Sequence, residues 1–383
     1  MKAPRRAVGA LALAVAILAA GCGSASRPAQ AGGSSAVPLS LATAVTGPGA
    51  IWAAVPMGAA SGANQFWQLF MLPAGAARWS LQTPPDIATN GALILAGQAG
   101  QGITVGERPS LSLTFSAITT TRNGGRTWAT LPPASGLADV PDALAAAPDG
   151  GLIALGGSQQ VTIARPGGGW TTLTTRRALA AMPATRACAL TGLTAAAYTA
   201  AGSPMMAGTC GRAGTAGIFS YAGGTWHQAT PLLPASLAGQ HVRVLRLART
   251  GAGDVALLQA GTGPSATLLA AWTSDGGQRW RLSPAFRLGG AYAESVSFGD
   301  SGATAVVLSS HRGETLAGPG APWRALPPLP AGRTVTLALP AGETTDALAA
   351  TGGSLTVWQL RPSAAAWART QAIKVPIQYG SSS

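Results

Sequence analysis

The chain has 383 residues, a formal net charge of +13, only 10% charged residues, 52 glycines and 28 prolines. Every basic residue but Lys2 and Lys374 is arginine, and the arginines are scattered. With no basic helix and no basic–aromatic array, nucleic-acid binding is not expected, and three isolated histidines (His227, His241, His311) with three cysteines offer no metal-ligand spacing.

Residues 1–22 read as a targeting segment. Lys2, Arg5 and Arg6 form a charged start, and Ala7 to Ala20 is an apolar stretch short for a membrane span. Leu18-Ala19-Ala20-Gly21-Cys22 resembles a bacterial lipobox, which implies cleavage before Cys22 and a lipid on its thiol. Losing residues 1–21 removes those three positive charges and no acid, taking +13 to +10. Residues 23–37, rich in Ser, Gly, Ala and Pro, read as a tether, and residues 38–383 as a single domain.

Within that domain a tryptophan recurs behind a small-residue turn. The positions are Trp79, Trp128, Trp170, Trp226, Trp280, Trp323 and Trp367, with spacings of 49, 42, 56, 54, 43 and 44. A period near 45 residues with four short strands per unit is that of a propeller blade. In one unit the strands read as 142–147, 152–155, 161–164 and 170–175, separated by Gly-, Pro- and Asp-containing turns. The expected fold is an all-β propeller, most simply of seven four-stranded blades, with six or eight left open and essentially no helix. Ring closure is expected from pairing of residues 40–44 with a C-terminal strand near 372–377, because an open ring would expose strand edges.

Two turns are sharper than the rest: Thr273-Ser274-Asp275-Gly276-Gly277-Gln278-Arg279-Trp280 and Thr121-Arg122-Asn123-Gly124-Gly125-Arg126-Thr127-Trp128. Their hydroxyl and Asp or Asn side chains can bond turn amides, and their glycines accept positive φ. The tryptophan would cover the turn and the outer blade. The pattern resembles the bacterial neuraminidase (Asp-box) repeat of sialidases, sortilin-type receptors, photosystem assembly factors and exported bacterial propellers. That resemblance implies the fold and a structural role for Thr121, Asn123, Gly125, Trp128, Thr273, Asp275, Gly277 and Trp280. Cys188 and Cys210, 22 residues apart in the longest unit, read as one disulfide.

The sialidase comparison fails on the residues it needs. Its early Arg-Ile-Pro motif is absent, and Tyr292 with Glu294 is a weak stand-in for its Tyr/Glu pair. Among the few acids, Asp149, Asp254 and Asp300 read as turn residues, whereas Asp86, Asp139, Asp142, Glu294 and Asp346 lie near connections that could face the channel mouth. In His241-Val242-Arg243-Val244-Leu245-Arg246-Leu247, strict alternation puts Arg243 and Leu245 on one side and Arg246 on the other. Arg186, Arg243 and Arg333, on comparable approaches to inner strands, could ring an anionic ligand. The expected function is therefore a lipid-anchored, extracytoplasmic, non-catalytic binding or scaffold module, monomeric and without a cofactor. Its partner would be a protein or an anionic envelope polymer. A divergent glycan-cleaving propeller and an assembly factor for a membrane complex are the alternatives.

Overall fold

The computed structural model describes residues 41–46, 50–57, 67–84, 93–98, 100–107, 118–131, 141–156, 159–166, 169–332, 334–340, 344–351 and 353–375. Cys22, the tether and Arg333 lie outside them, as do Asp86 and Asp139.

The described strands follow one another as antiparallel four-strand runs. The first is β1 (Leu41–Thr46), β2 (Ala50–Pro56), β3 (Trp67–Leu72) and β4 (Ser80–Leu81); the second is β5 (Leu93–Gly97), β6 (Ile103–Glu107), β7 (Ile118–Thr121) and β8 (Ala129–Leu131). The third is β9 (Pro141–Ala146), β10 (Leu152–Gly156), β11 (Gln160–Ala164) and β12 (Trp170–Thr175), matching the four strands read there from sequence. The fourth is β13 (Leu190–Tyr198), β14 (Pro204–Cys210), β15 (Gly217–Ala222) and β16 (Thr225–Gln228). The fifth is β17 (Val242–Thr250), β18 (Gly253–Ala260), β19 (Thr267–Thr273) and a broken outer strand made by β20 (Arg281–Leu282) and β21 (Phe286–Arg287), both paired with β19. The sixth is β22 (Ala293–Phe298), β23 (Thr304–Leu308), β24 (Gly313–Leu316) and β25 (Arg324–Ala325); the last is β26 (Thr334–Ala338), β27 (Thr345–Thr351), β28 (Ser354–Leu360) and β29 (Ala368–Lys374). Hydrogen bonding joins these runs into five sheets, because β14 bridges to β17 and β1 pairs in parallel with β22.

First strands touch in sequence order: β1 with β5, β5 with β9, β9 with β13, β13 with β17, β17 with β22 and β22 with β26. The path returns to its start through β26 against β1 and β2. Second and third strands are covered on both faces by the neighbouring runs, and so read as continuous apolar stretches rather than alternating ones. Every residue of β2, β10, β19 and β23 is buried. Each Val, Leu or Ile enclosed this way contributes about 1.5–3 kcal/mol.

One expectation needs correction. The closing clasp is absent among the described residues: β1 pairs with β2 and β22, and β29 pairs with β28 in its own run. Helix is almost absent, as expected: among the described residues one five-residue α-helix follows β12. Thr175 caps α1 (Arg176–Ala180) by accepting from the Ala178 amide at 3.1 Å, and a 3-10 turn follows at Pro183–Thr185. Leu179 of α1 is fully buried beside Cys188 and Cys210. Those cysteines are disulfide-bonded, pinning this insertion to the end of β14.

Candidate functional site

A meander sends its connections alternately to two ends. First-to-second and third-to-fourth turns gather at one end. Second-to-third turns and the connections between runs gather at the other, called the mouth end below. Runs five and six share this sense, since the Gly251 amide of one first-to-second turn donates to Asp300 Oδ1 of the next at 2.8 Å. The parallel sense of β13 and β17, each antiparallel to β14, extends it to run four.

The turn end is locked. In the Thr273 turn, Thr273 Oγ1 donates to Asp275 Oδ1 (2.8 Å) and accepts from the Gly277 amide (3.0 Å). Asp275 Oδ1 also accepts the amides of Gln278 (3.0 Å) and Arg279 (2.9 Å), while Oδ2 takes Arg279 Nε at 3.1 Å. These donors, the Arg279 amide foremost, hold the Asp275 carboxyl down at about 2. Gly276 and Gly277 carry φ of 71° and 94°, conformations that a side chain would strain. The Thr121 turn repeats the plan with a neutral amide. Asn123 Oδ1 accepts from Thr121 Oγ1 (3.0 Å) and the Thr127 amide (3.0 Å), and Nδ2 donates to Thr127 Oγ1 (2.8 Å).

The tryptophans do something the sequence reading missed. Each reaches the preceding run rather than only its own turn. Trp128 packs edge-on against Trp52, with ring centroids 6.0 Å apart. Trp170 packs on the cluster of Ala96 and Ile118, and Trp226 on that of Ile153 and Val161. Trp280 Nε1 donates to Ala229 O (2.9 Å), Trp323 Nε1 to Pro284 O (3.0 Å) and Trp367 Nε1 to Pro327 O (3.3 Å). Trp79 closes the circle onto the last run, where its Nε1 donates to Asp346 Oδ2 at 2.9 Å.

Asp346 and Asp254 are thereby reassigned. Neither is a turn or mouth residue: each is the second residue of a second strand, 3% exposed. Burial raises both carboxyls, Asp254 to about 7. Glu314, also buried and raised by burial, is paired with Arg312 Nη2 at 2.7 Å. These acids thus lie in three different runs and do not converge.

The mouth end is different in character. Only two large apolar side chains are exposed among the described residues, Leu232 at 93% and Tyr292 at 44%. Leu232 lies on the connection into β17 and Tyr292 on the connection into β22, so they flank the fifth run. The backbone of Tyr292 is fixed, its amide donating to Ser309 Oγ (3.1 Å) and its carbonyl accepting the Ser309 amide (2.9 Å). Between them β17 carries a bulge at Leu245: Val244 faces Leu258, but Arg246 faces Leu257. The extra residue reverses the alternation, so Arg243, opposite Gln259, and Arg246 share one side. The strictly alternating reading is therefore wrong for this pair. Burial lowers both guanidiniums, Arg246 to about 10, which leaves them charged at neutral pH. The Arg246 guanidinium makes no hydrogen bond or ion pair among the described residues.

The other proposed mouth residues are not gathered as expected. Arg186 caps the 3-10 turn and is exposed, four residues short of β13 rather than on it. Glu294 sits in a second bulge, between Ala293 and Ser295, so it and Tyr292 do not share a regular strand face. Exposed Arg287 belongs to the same end and was not singled out in the sequence; only the broken outer strand of run five places it there.

No protein-family profile and no curated protein sequence matches the chain. Among solved structures, YCF48 from Cyanidioschyzon merolae is similar over 85% of this chain and 95% of its own, with a TM-score of 0.50 and 13% identity. The fold is a β-propeller. Weaker likenesses extend to YCF48 bound to D1 peptide (TM-score 0.38, 15% identity, 77% of this chain and 91% of that one) and to TolB from Acinetobacter baumannii (0.47, 16%, 72% and 65%).

Proposed function

We propose that this chain is a lipid-anchored, extracytoplasmic propeller of seven four-stranded blades that binds a protein or an anionic envelope polymer at its mouth end, without catalysis. The supporting observation is the contrast between ends. The turn end is closed by side-chain and tryptophan latches, whereas the mouth end presents Leu232, Tyr292 and a desolvated arginine pair on neighbouring elements. Exposed aromatic and arginine side chains are the types that anchor protein interfaces. The seven-blade count rests on the seven tryptophan turns and the cyclic contacts of first strands. The lipid rests on the Gly21-Cys22 ending.

Photo-crosslinking residues placed at Leu232 or Tyr292 in intact cells should trap one and the same adduct. That adduct should disappear when Arg243 and Arg246 are both changed to Ala. An adduct of equal intensity from exposed Arg369 on the outer strand, or one that survives the arginine changes, would defeat the mouth-end reading. Incorporation of an alkyne-tagged fatty acid, lost in Cys22→Ser, tests the anchor separately.

A further inference from the structure

The turn end, assigned no role above beyond closure, carries a cleft of about 620 Å³ between the fourth and fifth runs. That is within the range of roughly 300–1,000 Å³ of small-molecule clefts. One wall is the outer hairpin of run four with the Thr199–Ser203 turn, and the other is the Thr273 turn. Ser203, Ser220, Gln228, Ser274 and Gln278 line it, and none of these side chains is hydrogen-bonded within the protein among the described residues. His227 joins them, its Nε2 already 3.2 Å from Ala222 O.

The lining restricts what can bind. Its apolar members are alanines, too small to grip an apolar ligand. Its one carboxylate, Asp275, is already engaged by Thr273, by two amides and by the Arg279 guanidinium that balances its charge, so a cation gains little there. Among the described residues no arginine or lysine lines the cleft, and Arg279, beside its lining residue Gln278, turns its Nε to Asp275, so an anion finds no counter-charge in the lining. What remains are hydroxyls and amides that both donate and accept. This set matches a ligand whose own groups do the same on every side.

The walls are also fixed before any ligand arrives. Trp280 Nε1 donates both to Ala229 O (2.9 Å) and to Gly277 O (3.1 Å), tying one wall to the other. A side chain at Gly277 would meet Ala229 Cβ at 2.6 Å, so the walls touch there. The Thr199 turn is closed by its own Oγ1, which accepts the Ser203 amide at 3.1 Å. A ligand would lose little to ordering this frame.

We infer that this cleft is a subsite for an uncharged sugar unit, one or two residues long, separate from the mouth. The test is saturation-transfer NMR on the full chain with N,N′-diacetylchitobiose and maltose, using benzoate and choline as charged comparators. Transfer to at least one disaccharide is expected, falling at least fivefold in Gln228→Ala and in Ser274→Trp and unchanged in Arg243→Ala. Gln228 and Ser274 are exposed, and Gln228→Ala only shortens a side chain, so loss of fold does not confuse the result. No transfer to either disaccharide at millimolar concentration, equal transfer in both cleft variants, or stronger transfer to a charged comparator would overturn the inference.

Discussion

Two kinds of junction hold the ring. Where the fourth to seventh runs follow one another along the chain, the joint is a tryptophan N–H given to a backbone carbonyl: Trp280 to Ala229, Trp323 to Pro284, Trp367 to Pro327. Where the first run meets the last, the same indole is given to a buried carboxylate. Asp346 Oδ2 takes Trp79 Nε1, and its Oδ1 takes Gln359 Nε2 at 3.2 Å. Gln371 then grips the Trp79 backbone on both sides, accepting from its amide at 2.8 Å and donating to its carbonyl at 2.7 Å. Chain connectivity keeps neighbouring runs together elsewhere. At the seam nothing covalent does so, and although β1 pairs with β22 of the sixth run, no strand of the first run pairs with the last run among the described residues. Side chains carry the specificity that the peptide chain supplies at the other joints, above a shared apolar cluster of Ile51, Phe70, Leu348 and Val357.

Breaking the seam should therefore cost more than breaking any chain-linked joint. Asp346→Ala strands a buried indole N–H and a half-buried amide, and is expected to lose about 4 kcal/mol. Trp323→Phe, at an exposed joint that keeps its neighbours, should lose about 1 kcal/mol. Urea titrations followed by tryptophan fluorescence check the order, and equal losses would show that the seam is no different from the other joints. Next in size is the disulfide, which ties the α1 insertion to the fourth run at the mouth end. Cys188→Ser with Cys210→Ser releases a 22-residue loop and should lower stability by about 3 kcal/mol. The seam should be untouched, so this loss and that of Asp346→Ala should add.

Asp254 sharpens the comparison, because it occupies in run five the place Asp346 occupies in the last run. It has no indole: it takes the Ala200 amide, and its Oδ1 has no partner. Burial dominates and lifts it from 3.8 to about 7. The folded chain thus holds this proton more tightly than the unfolded chain. The stability it contributes is full below pH 3.8 and is lost as the pH rises toward 7. Asp275 has the opposite sign. Held at about 2, it contributes above pH 3.8 and its contribution is lost as the pH falls toward 2. Asp254→Asn should flatten the decline of the urea midpoint between pH 4 and 7 and leave the acid limb in place. An unchanged decline would mean that the buried carboxyl does not titrate there.

How much of this was written in the sequence depends on range. The strands of run three and both sharp turns were legible, because Gly-Gly pairs, short apolar stretches and a following tryptophan are local signals. The α1 helix was legible too and was passed over: Thr175 is a sound N-cap before Arg, Ala and Leu, all good helix formers. The arginine face of β17 was not, since nothing in Val244-Leu245-Arg246 marks a bulge, and one extra residue reverses every side chain beyond it. The seam was the least accessible. Asp346 and Trp79 are 267 residues apart, and only the closed ring explains why an acid within β27 should be buried.

The smallest effect tests whether the two sharp turns differ only in charge. Asn123 and Asp275 occupy the same place, and both accept a threonine hydroxyl two residues before them. Asp275 adds a second amide and a guanidinium, while Asn123 spends its Nδ2 on Thr127 Oγ1. Asn123→Asp would place a carboxylate on the same amides, and Thr127 could turn its hydroxyl to donate. The gain from a charged acceptor is then offset by the lost amide donor. The expected result is a stabilisation of about 0.5 kcal/mol near neutral pH that disappears below the carboxylate range. Asp275→Asn should lower the urea midpoint, because Arg279 keeps no counter-charge and the amide nitrogen would face that guanidinium. If both changes destabilise, each turn is tuned to its own residue, and the turn amides are not simply waiting for a negative charge.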